Sequence, residues 1–183
     1  MKVLMNSCLV LLIVIAYLIS PYVGNISVVA QNIDSSFGVT TPMHVSTNGT
    51  VTSTRVIDVS TDHPKTEVSF TEDAIINNVG NVSNTGTYIA TIESSNTTKG
   101  IGQGIITSDE SNNMVAWNVY DLGKRIDNTT TFVFNGIIFF DVLPPHDGSN
   151  EFMFLDDRVG LYRSEVNDTG SIRDMDMGLV WSL

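Results

Sequence analysis

Cysteine is almost missing from this chain. One of its 183 residues is a cysteine, Cys8, and it lies in the apolar N-terminal stretch. Everything after it is therefore without an internal disulfide, a thiolate metal site or a cysteine nucleophile. Basic side chains are scarce as well, 9 Lys and Arg against 20 Asp and Glu. An acidic body with scattered cations repels a phosphate backbone, which excludes nucleic acid as a partner. Acidic residues are absent from the first thirty positions, where Lys2 is the single charge. The rest holds all 20 carboxylates against 8 cations, a charge of −12. The mean hydropathy of +0.13 thus belongs largely to the leader. Sustained helical periodicity is lacking throughout the body, which argues against an α-helical fold.

The leader reads as an address. Lys2 precedes an unbroken apolar run from Leu9 to Ile19. Such a run covers about half of a ~30 Å hydrocarbon core at 1.5 Å per residue, too little to span it alone. Ser20, Pro21 and Gly24 break it, and Val28-Val29-Ala30 offers a small-residue exit. Residues 1–30 are therefore expected to be a secretory signal peptide or, uncleaved, an N-terminal membrane anchor. The membrane is expected as a partner only through this segment, if it stays uncleaved, and the protein is expected to be secreted or held at the cell surface. Asn-x-Ser/Thr triplets at Asn25, Asn48, Asn81, Asn96, Asn128 and Asn167 agree with export. Asn81, Asn96, Asn128 and Asn167 are the glycosylation candidates in the body.

Residues 31–65 differ in composition from the remainder of the body. Twelve of these 35 residues are Ser or Thr, and large apolar residues are few. Such a segment cannot offset the entropy of ordering, so it is expected to be a linker or stalk. The alternative is a pair of edge strands packed on the domain. From residue 66 to 183 short stretches rich in Val, Ile, Phe, Tyr and Thr alternate with Asn, Asp, Gly, Ser and Pro clusters. These are strand and turn signals. The segments are 66–76, 79–93, 99–108, 113–122, 130–142, 150–156, 158–167 and 172–182. The expected fold is all-β, an eight-stranded antiparallel up-and-down barrel, with a two-sheet β-sandwich as the alternative. In the last segment Met175, Met177, Leu179 and Trp181 share one face. The stretch Phe132–Phe140 is apolar on both faces, so the stalk or a second copy of the chain is expected to cover its outer side.

No motif for chemistry stands out. Gly100-Ile101-Gly102-Gln103-Gly104 continues into a strand, where a phosphate loop would open a helix. Its alternate glycines fit a tightly curved strand, or a bulky aromatic of a neighbour lying across the backbone. Asp156-Asp157 and Asp174-x-Asp176 carry cation-binding oxygens, yet alternation places the latter pair on a wet face. His44, His63 and His146 show no metal spacing, so neither a metal nor a cofactor is expected. Glu93, Asp121 and Asp141 could do acid–base work, but nothing in the sequence pairs them, and solvated strand faces explain them better. In the fifth strand Met114, Ala116, Asn118 and Tyr120 share one face, and Val115, Trp117 and Val119 the other. The first set, small and semi-polar with a phenol, could line a pocket for a small apolar molecule. Met114, Trp117, Tyr120 and Tyr162 are the candidate ligand-binding residues.

From Gly100 to Trp181 the chain resembles a family of small exported prokaryotic, archaeal β-proteins of uncharacterised activity. The residues that carry the likeness are Gly100–Thr107, Met114–Trp117, Phe134–Phe140, Phe154-Leu155, Val159–Tyr162, Glu165-Val166 and Trp181. More remotely the meander resembles the eight-stranded barrel of allene oxide cyclases and dirigent proteins. That second likeness implies a fold and transfers no activity. The expected function is an exported, non-catalytic barrel protein that binds a small apolar ligand or a protein partner, with a homo-oligomer as one such assembly. The alternatives are an isomerase- or cyclase-like enzyme holding a lipid-like substrate in the barrel lumen, and a structural envelope component. A lumen filled by side chains would leave surface interaction alone.

Overall fold

The computed structural model describes residues 44–59, 62–145, 148–167 and 171–182, with Thr47 and 171–182 described as backbone. Eight strands follow one another: β1 (His44–Asp58), β2 (Lys65–Ile76), β3 (Gly80–Ser94), β4 (Thr97–Ser108), β5 (Met114–Arg125), β6 (Phe132–Val142), β7 (Arg158–Val166) and β8 (Ser171–Ser182). Each pairs antiparallel with its neighbour in sequence. The result is an all-β, strongly curled antiparallel sheet. It is one continuous sheet and not the two facing layers of a sandwich. A further four pairs, His44↔Met177, Val45↔Asp176, Gly49↔Ile172 and Thr50↔Ser171, join β1 to β8.

Alternation produces the curl's two faces. On β2, Phe70, Glu72, Ala74 and Ile76 are buried while Thr71, Asp73 and Ile75 are exposed. On β5, Val115, Trp117 and Val119 are buried and Met114, Asn118 and Tyr120 exposed. The period of 2 needs no other explanation: one face packs inward and one meets water. Asparagine closes several connections in the left-handed region, with Asn78 at φ 69°, Asn112 at 58° and Asn128 at 59°. Its short polar side chain tolerates that conformation better than most residues do.

Eight strands are expected and eight are present, yet they are not the same eight. β1 lies inside the segment 31–65 expected to be a stalk. Residues 44–58 instead pair along β2, with three register shifts. Thr is a good strand former, and β1 needs few apolar side chains because backbone hydrogen bonds to β2 hold it. The second correction concerns 150–156, expected as a strand. It is a 3₁₀ turn over Glu151–Leu155. The Asn150 side chain accepts from the Phe152 amide at 2.9 Å and donates to the Leu143 carbonyl at 3.0 Å. Glu151 accepts from Asn113 at 2.6 Å and from the Ser111 hydroxyl. Burial pulls the Glu151 pKa upward, and the hydrogen bonds from Asn113 and Ser111 outweigh it, leaving it at about 2.

That turn fills one end of the curl. Phe152 and Leu155 are fully buried there and form one cluster with Ile76, Val82, Ile106, Val115 and Phe140. The interior is solid at this end.

Candidate ligand site

Beyond the solid end the interior is hollow. A cavity of about 170 Å³ lies among Val51, Val68, Phe70, Trp117, Val119, Phe134 and Ile138, with Tyr88, Asp121, Tyr162 and Ser164 as its polar lining besides Asn84. Trp117 borders it and is itself 5% exposed. Its indole stacks on Phe70 at 6.1 Å between centroids. Its Nε1 donates to Asn84 Oδ1 at 2.8 Å, and Asn84 Nδ2 donates to Glu72 Oε2 at 2.8 Å. His44 Nε2 stands 3.8 Å from the same oxygen. A buried indole N–H needs a partner, and this relay supplies it.

The glycines of β4 make the room. Gly100, Gly102 and Gly104 fall on the inward parity, so this strand sends no side chain inward between Thr98 and Ile106. A Cβ on Gly100 would lie 1.6 Å from Tyr88 Oη, and one on Gly104 would lie 2.5 Å from Trp117 Cζ2. Neighbouring aromatics therefore lie across the bare backbone, as the glycine pattern suggests.

Among the described residues Asp121 is the charged group lining the cavity. It continues the inward parity of Val115, Trp117 and Val119, and its register partners on either side are Gly100 and Gly136. Both flanks are thus open. Tyr88 crosses Gly100 to donate its phenol to Asp121 Oδ1 at 2.5 Å. Tyr162, paired with Gly136 from β7, donates to Oδ2. Desolvation raises the Asp121 pKa above the ordinary carboxylate range, against the hydrogen bonds from Tyr162 and Tyr88. Burial, followed by the Asp121 charge and the hydrogen bond, pushes both phenols far above the usual tyrosine range. They stay protonated and act as donors.

The raised carboxyl makes stability depend on pH. Tyr88 and Tyr162 are the titratable groups facing Asp121 among the described residues, and β4 and β6 face it with glycine. A carboxyl whose pKa rises on folding contributes stability below its ordinary value, and that contribution is lost as pH rises through the folded value. Asp121→Asn is therefore expected to gain stability relative to the unchanged protein as pH increases. Urea unfolding of both proteins from about pH 4 to 8 checks this, and a difference independent of pH would contradict it.

Two of the four expected ligand residues line the cavity, Trp117 and Tyr162. Met114 and Tyr120 do not. They have the opposite parity and are 37% and 57% exposed on the outer face. The pocket-lining set expected from β5 is thus the wrong one of the two, because alternation separates the faces without saying which is concave. On the outer face Tyr120 pairs in register with Ile101 and Ile137, and Ile137 with Leu161, which forms an apolar row across four strands. Phe139 packs edge-on against Tyr120 there. Tyr88 carries no signal of its own in the sequence, and Asp121 reads there as a residue of a solvated face. Extending the Val115–Trp117–Val119 alternation by two residues turns Asp121 inward. Glu93 and Asp141 do lie outside the cavity, Glu93 beside Lys99 at 3.2 Å.

The remaining marked residues scatter. Asn81 is exposed on β3, Asn96 and Asn128 are exposed in turns, Asn48 is exposed on β1, and Asn167 directly follows β7. Asp156 accepts from the Val142 amide at 3.2 Å, which gives it a structural task. The leader with Asn25, His146 and the side chains of Met175, Met177, Leu179 and Trp181 lie outside the described residues.

No protein-family model and no curated protein sequence matches the chain. A solved structure is similar to it: a protein with unknown function from Clostridium acetobutylicum ATCC 824, at TM-score 0.61 and 9% identity, covering 76% of this chain and 97% of that one. At that identity the likeness is one of fold.

Proposed function

We propose that the chain is an exported, non-catalytic protein whose curled sheet closes into an eight-stranded barrel and holds a small apolar ligand inside. The observation that carries this is the apolar cavity bordered by Phe70, Trp117 and Phe134 beyond a plugged end. The β1–β8 pairs support closure, which removes exposed edges. The apolar leader and the exposed Asn-x-Ser/Thr sites support a place outside the cell, secreted or on its surface. The barrel analogy to allene oxide cyclases and dirigent proteins belongs to this reading.

A dry cavity of about 150 Å³ lined by apolar groups takes up benzene, so a molecule of that size suits this one. Toluene at ten times its Kd is expected to stabilise the protein by about 1.4 kcal/mol, which raises the Tm by a few degrees. Scanning calorimetry with and without toluene checks this, and an unmoved Tm would remove the internal-ligand reading. A second reading, an isomerase- or cyclase-like enzyme, is favoured by one observation: a desolvated carboxyl flanked by two phenol donors is a group able to move a proton.

A further inference from the structure

Among the described residues the cavity has one charged group, Asp121, and its chemistry narrows the ligand. Both Asp121 oxygens accept a phenol, Oδ1 from Tyr88 and Oδ2 from Tyr162. A carboxylate offers about four lone-pair positions, so two remain. Among the described residues no Lys, Arg or His forms an ion pair with Asp121; Arg55 pairs with Glu67, Lys99 with Glu93 and Arg163 with Glu165. The phenols orient the carboxylate and cannot neutralise it. A buried carboxylate without a counter-charge is costly, and a cation seated on it recovers that cost. The walls add to this, since the aromatic rings of Tyr88, Phe134, Trp117 and Tyr162 attract a cation placed over a ring face. An anionic ligand would meet a like charge at this group.

Resting on the ligand-binding reading above, we propose that the cavity takes a primary amine on a ring-sized apolar body, its ammonium seated on the Asp121 carboxylate between Tyr88 and Tyr162. The amine donates to the two free carboxylate positions, and the ring fills the space between Phe70, Val119 and Phe134. Size limits the body to about one ring.

Benzylamine, benzyl alcohol and toluene share a ring and differ at the polar end, so they test this on the full chain. Isothermal titration near neutral pH is expected to show benzylamine binding at least about tenfold more tightly than benzyl alcohol or toluene. In D121N the preference for benzylamine is expected to vanish while toluene still binds. Equal affinity of the three probes for the unchanged protein would overturn the amine proposal and leave the apolar cavity standing. Binding by none would overturn both. A preference for benzylamine that persists in D121N would overturn the assignment to Asp121. Should D121N fail to fold, the ranking on the unchanged protein decides between amine and neutral ligand, and Tyr162→Phe, which removes one of the two donors, is expected to shift benzylamine affinity more than toluene affinity. Equal shifts of the two in that variant would count against the seat at Asp121.

Discussion

Gly104→Ala is expected to cost about 3 kcal/mol of stability, the upper end of what overpacking a filled interior produces. Alanine is normally the better strand residue, by about 0.5–1 kcal/mol. Here the new Cβ would lie 2.4 Å from the Thr85 carbonyl oxygen and 2.5 Å from the Trp117 ring. The carbonyl belongs to the backbone of β3, so the two strands must part before the methyl fits. Gly100→Ala makes an instructive contrast. Its Cβ meets Tyr88 Oη at 1.6 Å, but that atom ends a side chain that can swing aside. Gly100→Ala should therefore lose less stability and instead break the Tyr88–Asp121 hydrogen bond. Urea denaturation with unchanged m-values measures both. A Gly104→Ala protein as stable as its parent would show that the sheet yields more easily than its register implies.

Phe152→Ala is expected to cost about 3–5 kcal/mol, the range for emptying a buried aromatic site. Phe152 is fully buried at the plugged end, between Leu155 and the cluster of Ile76, Val82, Ile106, Val115 and Phe140. Asn150 and Glu151 hold the turn through hydrogen bonds that do not involve its ring. The backbone therefore cannot follow the lost side chain inward, and the hole persists. A cost below about 1 kcal/mol would mean that the end is not packed as described.

The same residue shows why the segment 150–156 reads as a strand and folds as a turn. As a strand, Phe152 and Phe154 would share a face, and Leu155 would point away from both. In a 3₁₀ turn residues i and i+3 align, and Phe152 and Leu155 both go inward. A four-residue apolar run such as Phe152–Leu155 satisfies either period, and periodicity alone does not separate them. β1 escapes sequence reading for another reason. Ser and Thr content measures how much apolar surface a segment can bury, while β1 is held by backbone pairing with β2. That pairing is a property of the partner and is invisible in the segment itself.

Seven strands of the eight are legible, because a period of 2 between turn signals is written locally. So is the bare face of the β4 glycines, which fits a tightly curved strand or an aromatic from elsewhere. The candidate site is half legible: Trp117 and Tyr162 line the cavity, and Met114 and Tyr120 sit outside. Asp121 requires the curl itself. Its role depends on Gly100 and Gly136 opening both flanks, and those lie 21 and 15 residues away in sequence. The scarcity of cysteine and of cations, the apolar leader and the alternation are properties of neighbouring residues, so the chain alone decides the class of fold. Which face of each strand becomes concave, and which carboxylate lines the apolar cavity between two phenols, depends on contacts between distant strands. Only the folded sheet brings those together.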